Sequence, residues 1–315
     1  MKEFGKLKRL DLRSIWPNEA RDFTKWLAEN IQALGETLGM DLEIESSEAS
    51  VGDFSLDLHA KDLGGGREVI IENQLTATDH DHLGKLLTYA AGFDASVIVW
   101  IAESIREEHR QALDWLNRHT DSNTEFFGVV VEVFHIDDSR PVYNFRPVVF
   151  PNDWQRTKRR AATTQVTERA EAYRQFFQAL IDELREKHKF TGARLGQPQG
   201  WYTFSSGYSG FHYTVSFAQG ERVRVELYID HADAEVNKRI FDEFYQMKDE
   251  IENEFGEKFE WERLDNKRGS RIAIYRSGSL ESDQEALNDI RAWSIEKVLK
   301  LKKVFTPRLK KYSNR

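Results

Sequence analysis

The amino-acid sequence predicts an α/β core of order α-β-β-β-α-β followed by a separate α+β domain. Three observations carry that expectation. Two strand-like runs, SVIVWIA (96–102) and FGVVVEVFHI (127–136), are apolar on both faces and are separated by a helix-period segment, as in a covered, partly parallel sheet. Two further runs with strand alternation flank a triple glycine, which reads as a β-hairpin. At 315 residues the chain exceeds the prior of about 100 to 200 residues per domain, and residues 137–165 break the pattern with Pro141, Pro147, Pro151 and a polar stretch. The expected division is a first domain at 1–150, a basic linker at 151–165 and a second domain at 166–315.

Residues 18–38 place Phe23, Trp26, Leu27, Ile31, Leu34 and Leu38 at helical spacing behind Pro17 and Asn18, which predicts one amphipathic helix. The runs LEIES (42–46), DFSLDLHA (53–60) and REVIIENQL (67–75) follow as strands, the last two joined by Gly64-Gly65-Gly66. Thr78 is the expected cap of a helix with Asp79 and Asp81 in its first turn and Gly92 as its stop. On that helix Leu83, Leu86, Leu87 and Ala90 form the expected core stripe, opposite a polar face of His82, Lys85 and Tyr89. A helix over 105–118 separates the two apolar strands. Beyond the linker the pattern gives a helix at 166–188, strands at 201–205, 211–218 and 222–229, and a helix at 233–254. Strands at 258–264 and 270–276 and a final helix at 283–304 complete it, with no internal repeat.

A hydrophobic fraction of 40%, with 12% aromatics, suffices for packed cores. No apolar run reaches the roughly 18 residues of a membrane span, and MKEFGKLKRLDLRSIW lacks the apolar core and cleavage site of an export signal. A soluble, unexported, cytoplasmic protein without a membrane partner is expected. With no cysteine, disulfides, thiolate metal sites and cysteine nucleophiles are excluded, so any metal ion should be held by oxygen. The net charge of -8 argues against a uniformly basic nucleic-acid coat, although phosphate contacts depend on local patches. Two patches stand out. Arg156, Lys158, Arg159 and Arg160 cluster mid-chain. No acid follows Glu296, while Lys297, Lys300, Lys302, Lys303, Arg308, Lys310, Lys311 and Arg315 accumulate.

The candidate site comes from period-two alternation. In FSLDLHA, Phe54, Leu56 and Leu58 face one side, and Ser55, Asp57 and His59 the other. In VIIENQ, Glu72 and Gln74 share a face where the strand stops being apolar. Pairing through the glycine turn brings Asp57 and Glu72 to neighbouring strands on one side. Close carboxylates raise one another's pKa unless a cation lies between them. Phosphodiester hydrolysis employs such a cation: Mg2+ prefers hard oxygen ligands, polarises the phosphate and activates a water. The amide of Gln74 can orient that water or the phosphate, but it cannot act as a charged acid or base.

The run VGDFSLDLHA…REVIIENQ resembles the hairpin of the PD-(D/E)XK nuclease superfamily, with Glu72-Asn73-Gln74 in the place of (D/E)-x-K. Gln74 stands where lysine is usual, as it does in some restriction endonucleases of that superfamily. The resemblance implies a restriction-endonuclease-like core, with Asp57 and Glu72 as metal ligands. It makes Glu19 a further acidic ligand and turns Lys85 or Tyr89 toward the phosphate. The whole chain also resembles uncharacterised bacterial two-domain proteins that pair such a region with a C-terminal α+β domain. The implied activity is a Mg2+-dependent hydrolysis of phosphodiester bonds in DNA, with Mn2+ as substitute, by an endonuclease or nickase of phage defence or DNA processing. The second domain would supply target choice or homodimer contacts.

Two rival expectations stay open: a catalytically inactive nuclease fold that holds nucleic acid, and a protein-interaction module. The run Asp79-His80-Asp81-His82 reads as a helix cap rather than a metal site. The aromatic run GWYTFSSGYSGFHYTVSF (200–217) reads as β-core, with base stacking as its alternative. The basic C-terminus reads equally as a solvated helix end or a phosphate grip.

Overall fold

A computed structural model describes residues 5–51, 54–121, 124–137, 139–151 and 168–312. The chain divides into two compact units. One comprises Met1–Leu38, Ile44–Asp62 and Gly66–Gln165, the other Gly39–Glu43, Leu63–Gly65 and Val166–Arg315.

The first unit is built on a seven-stranded sheet of β1 (Leu7–Leu10), β2 (Leu42–Val51), β3 (Phe54–Asp62), β4 (Arg67–Ala77), β5 (Val97–Ser104), β6 (Glu125–Ile136) and β7 (Val142–Val149). Along the sheet the order is β2-β3-β4-β5-β6-β1, and β7 also pairs with β6. β3 and β4 form the antiparallel hairpin, β4-β5 and β5-β6 are parallel, and β1 and β7 run antiparallel to β6. The parallel strands carry the apolar runs because both of their faces are covered: Val97 to Ala102 are buried without interruption. Trp100, Ile98 and Ile70 pack there with Leu56, Leu86 and Tyr89.

Two strands escape the sequence pattern for opposite reasons. β1, LKRL, is exposed over most of its length and needs no apolar alternation. β7 falls in the stretch where prolines suggest a break, yet Pro147 sits opposite Val129 beside a register shift, and a bulged strand tolerates the missing N–H.

The expected helix over 18–38 is divided into a π-helical turn Glu19–Thr24, a helix Lys25–Glu29 and a helix Ile31–Leu38. Asn18 opens the wide turn, since its carbonyl accepts from both Asp22 N and Phe23 N. Asn30 ends the middle segment by donating from its backbone N to Trp26 O and Leu27 O and from Nδ2 to Trp26 O. Phe23, Leu27, Ile31, Leu34 and Leu38 nonetheless remain buried. The next helix, His80–Gly92, is capped by Asp79, whose side chain accepts from His82 N, and not by Thr78. Thr78 is buried, and its hydroxyl accepts from Arg106 N and bonds His109 Nδ1. A helix Glu107–His119 links β5 to β6.

The second unit holds a five-stranded antiparallel sheet of β8 (Trp201–Ser205), β9 (Phe211–Ala218), β10 (Arg222–Ile229), β11 (Glu260–Glu262) and β12 (Ser270–Ser277), in the order β11-β12-β10-β9-β8. Helices Glu168–Glu186, Ala234–Gln246, Lys248–Phe255 and Gln284–Leu309 accompany it. The expected helix over 233–254 is thus two, with Met247 between them. Alternation in β10 sends Val223, Val225 and Leu227 into a core with Phe177, Phe244 and Phe305. Arg224, Glu226 and Tyr228 face the other side of that sheet.

Candidate functional site

The site lies where β4 outruns its hairpin partner. The regular ladder ends at Leu58 opposite Ile71, and the same register carried one step further sets Asp57 beside Glu72. Past that point the N–H groups of β4 that face β3 lack strand partners, and carboxylates meet them instead. Asn73 N donates to Asp57 Oδ2 at 2.7 Å, and Leu75 N donates to Glu19 Oε2 at 2.6 Å. The Glu72 carboxylate in turn accepts from the backbone N–H of Asp57. The π-helical turn that carries Glu19 is fastened to the same strand, because the buried Asn73 donates from Nδ2 to Thr24 Oγ1 at 3.1 Å.

Three carboxylates therefore share one electrostatic environment. Glu72 is 3% exposed. Burial pushes its carboxyl up to about 8, with the charges of Asp57 and Glu19 adding to the effect and Lys85 opposing it. Burial also pushes Asp57 up to about 6; the Asn73 N–H, His82 and Lys85 pull it down and Glu19 pushes it up. Both carboxyls thus hold protons more readily than ordinary acids do, and the pair resists carrying two negative charges at once. Glu72 Oε2 is buried and has no hydrogen-bond partner among the described residues. Lys85 acts on both carboxyls from the helix His80–Gly92.

Gln74 points elsewhere with its nitrogen. Nε2 donates to Ala77 O at 3.0 Å and to Asp79 Oδ2 at 2.6 Å, while its buried Oε1 has no partner among the described residues. Asp79 meanwhile receives His82 N at 2.9 Å and pairs with His82 Nδ1 at 2.8 Å. Asn73, Asp79 and Thr24 are the participants that sequence reasoning missed. The available signal for the first was an Asn on the face that alternation otherwise gives to Ile71 and Leu75.

Tyr89 does not belong to a polar face. It is buried, and its hydroxyl donates to Ser55 O at 2.9 Å, while Leu87, expected in the core, is 40% exposed. The apolar stripe of this helix is centred on Leu86 and Tyr89. His80 pairs instead with His109, Nδ1 to Nε2 at 3.1 Å. Among the described residues no group of three or more His, Asp or Glu side chains is already gathered to hold a metal ion. Asp57 is turned to the N–H of Asn73 and Glu19 to the N–H of Leu75.

The basic C-terminus is largely ion-paired. Lys297 contacts Glu257 and Glu296, Lys300 contacts Glu296, Arg308 contacts Glu250 and Glu254, and Lys311 contacts Glu243. Lys302 donates to Phe190 O. The mid-chain cluster Arg156 to Arg160, like Arg315, lies outside the described residues. In the aromatic run Tyr202, Phe204, Phe211 and Tyr213 are core, whereas Trp201 is 50% exposed. No described helix is long and apolar enough to cross a membrane.

Comparison with known proteins touches the second unit alone. Residues 172–309, less than half of the chain, match the model of a family described as a domain of unknown function, DUF4268. Neither a curated protein nor a solved structure matches the chain.

Proposed function

We propose that the first unit is a restriction-endonuclease-like, divalent-metal-dependent nuclease acting on DNA. Asp57 and Glu72 are its metal ligands and Glu19 is a further one. The observation that carries this reading is that Asp57 and Glu19 reach the N–H groups of Asn73 and Leu75, just past Glu72 on β4, while Glu72 keeps a buried oxygen without a partner among the described residues. Nearby carboxylates that raise one another's proton affinity form an oxygen-only donor set suited to Mg2+ or Mn2+. When bound, the ion polarises the scissile phosphate and lowers the pKa of a water beside it.

The chain's own groups have separate tasks. Glu72, whose carboxyl burial makes reluctant to ionise, gives up its proton so that its oxygens become ligands. Lys85, whose charge already acts on both carboxyls, sets its ammonium against the phosphate charge. Gln74 is held by Ala77 O and Asp79, which leaves the fixed Oε1 to accept a hydrogen bond from the attacking water. It orients and transfers no proton.

Incubation of supercoiled plasmid with Mg2+ or Mn2+ tests the proposal. Nicking or linearisation that stops with EDTA and is lost in Glu72→Ala is expected. Cutting that is equal in the variant, insensitive to EDTA or absent sinks it. The same commitment of the Gln74 amide to the helix cap favours one alternative, a nuclease fold that holds nucleic acid without cleaving it. DNA retention that falls steeply with salt, without cutting and without metal binding, would select that alternative.

A further inference from the structure

The uncovered face of the second unit's sheet is not flat, and its register shows why. Trp201 on β8 pairs across with Ser216, Ser216 with Arg224, and Arg224 with Tyr275. In the next row Thr203 pairs with Thr214, Thr214 with Glu226 and Glu226 with Ala273. Cross-strand partners share a face, so the small side chains of Ser216 and Thr214 on β9 lie between Trp201 on the edge strand and Arg224 and Glu226 on the central strand β10. The result is an open cavity of about 430 Å3, within the range of small-molecule sites.

The floor of this cavity is polar in an unusual way. Glu226 is 3% exposed, and its Oε2 lies 3.0 Å from Arg224 Nε and 3.3 Å from Arg271 Nε. A buried ion trio of this kind seldom adds stability over an apolar alternative, so its presence calls for another role. Beside it the buried Ser216 hydroxyl has no hydrogen-bond partner among the described residues. At the rim Trp201 leaves half its surface exposed. The arginine charges are met by Glu226, and by Glu262 at 3.8 Å from Arg271, so the cavity is not a simple phosphate trap. It offers a carboxylate acceptor between two guanidinium donors, under an aromatic plate.

The complementary ligand is planar and carries adjacent N–H donors flanked by acceptors. Among nucleobases guanine has that edge: its N1–H and N2–H groups suit a carboxylate, and its O6 and N7 suit an arginine fork. We propose that this face binds a guanine base of single-stranded nucleic acid, stacked on Trp201 with its polar edge on Glu226 and Arg224. The site belongs wholly to the second unit and stands whether or not the first unit cleaves DNA.

Calorimetric titration of the full chain with GMP, AMP, CMP and UMP, in EDTA so that no divalent ion contributes, is the test. GMP should bind at least about tenfold more tightly than the other three, and Trp201→Ala should weaken it about tenfold or more, the scale of one lost base stack. Glu226→Gln should reduce the preference for GMP over AMP. If that buried variant fails to fold, the half-exposed Trp201 still decides the matter. Absent GMP binding, equal affinity for all four nucleotides, an unchanged Trp201→Ala affinity, or tighter binding of a saccharide such as cellobiose would overturn the assignment.

Discussion

Asp57 and Glu72 hold protons more tightly in the folded chain than their ordinary values of 3.8 and 4.5 allow, near 6 and 8 respectively. A carboxyl raised by folding contributes its full stability below the unfolded value, and that contribution is lost as pH rises through the folded value. The metal-free melting temperature should therefore fall between about pH 5 and about pH 8. Glu72→Gln, which keeps the shape without the charge, should flatten the upper part of that fall. Thermal melts followed by circular dichroism check this, and a melting temperature that climbs over the interval would refute the raised proton affinities. At this scale alternation alone separated Leu56 and Leu58 from Asp57. Helical spacing misjudged Tyr89, because a phenol with an apolar ring can join the core once its hydroxyl finds Ser55 O.

Elements fix these residues through their ends. Asp79 both caps the helix His80–Gly92 and holds the Gln74 amide, so Asp79→Ala removes two functions at once. Loss of a cap costs about 1 kcal/mol, which a shift of the denaturant midpoint would register. If Gln74 orients the attacking water, Asp79→Ala should also lower the turnover of plasmid, and unchanged turnover would remove Gln74 from that role. The hydrophobic period revealed the helical segments and the apolar strands. It could not reveal the break at Asn30 or the π-helical turn after Asn18, which depend on side-chain and carbonyl competition rather than on burial. Thr78 and Asp79 are both good caps in sequence, and the structure assigns the cap to Asp79 and buries Thr78 against His109.

For the molecule as a whole, the charge distribution in sequence and in space differ. The run of bases after Glu296 looks free along the chain, yet Lys300, Arg308 and Lys311 face acids contributed by Glu243 to Glu257 and by Glu296. Bases already paired release few DNA counterions, so Lys300→Ala with Lys311→Ala should change the salt slope of DNA binding by less than about one. A larger change, read by fluorescence anisotropy across a salt series, would restore the C-terminus as a phosphate grip. The presence of two folded units was legible from length and pattern. The hollow on the second sheet was not, since it arises from the cross-strand sequence of Ser216, Thr214 and Ala273, which only the register reveals.

The most direct measurement of the central claim is a calorimetric Mn2+ titration of the nucleic-acid-free protein in buffers of differing ionisation heat at neutral pH. One saturable site that releases about one proton, with both binding and release lost in Glu72→Gln, is the predicted result. No binding, or binding that survives unaltered in Glu72→Gln, would contradict it.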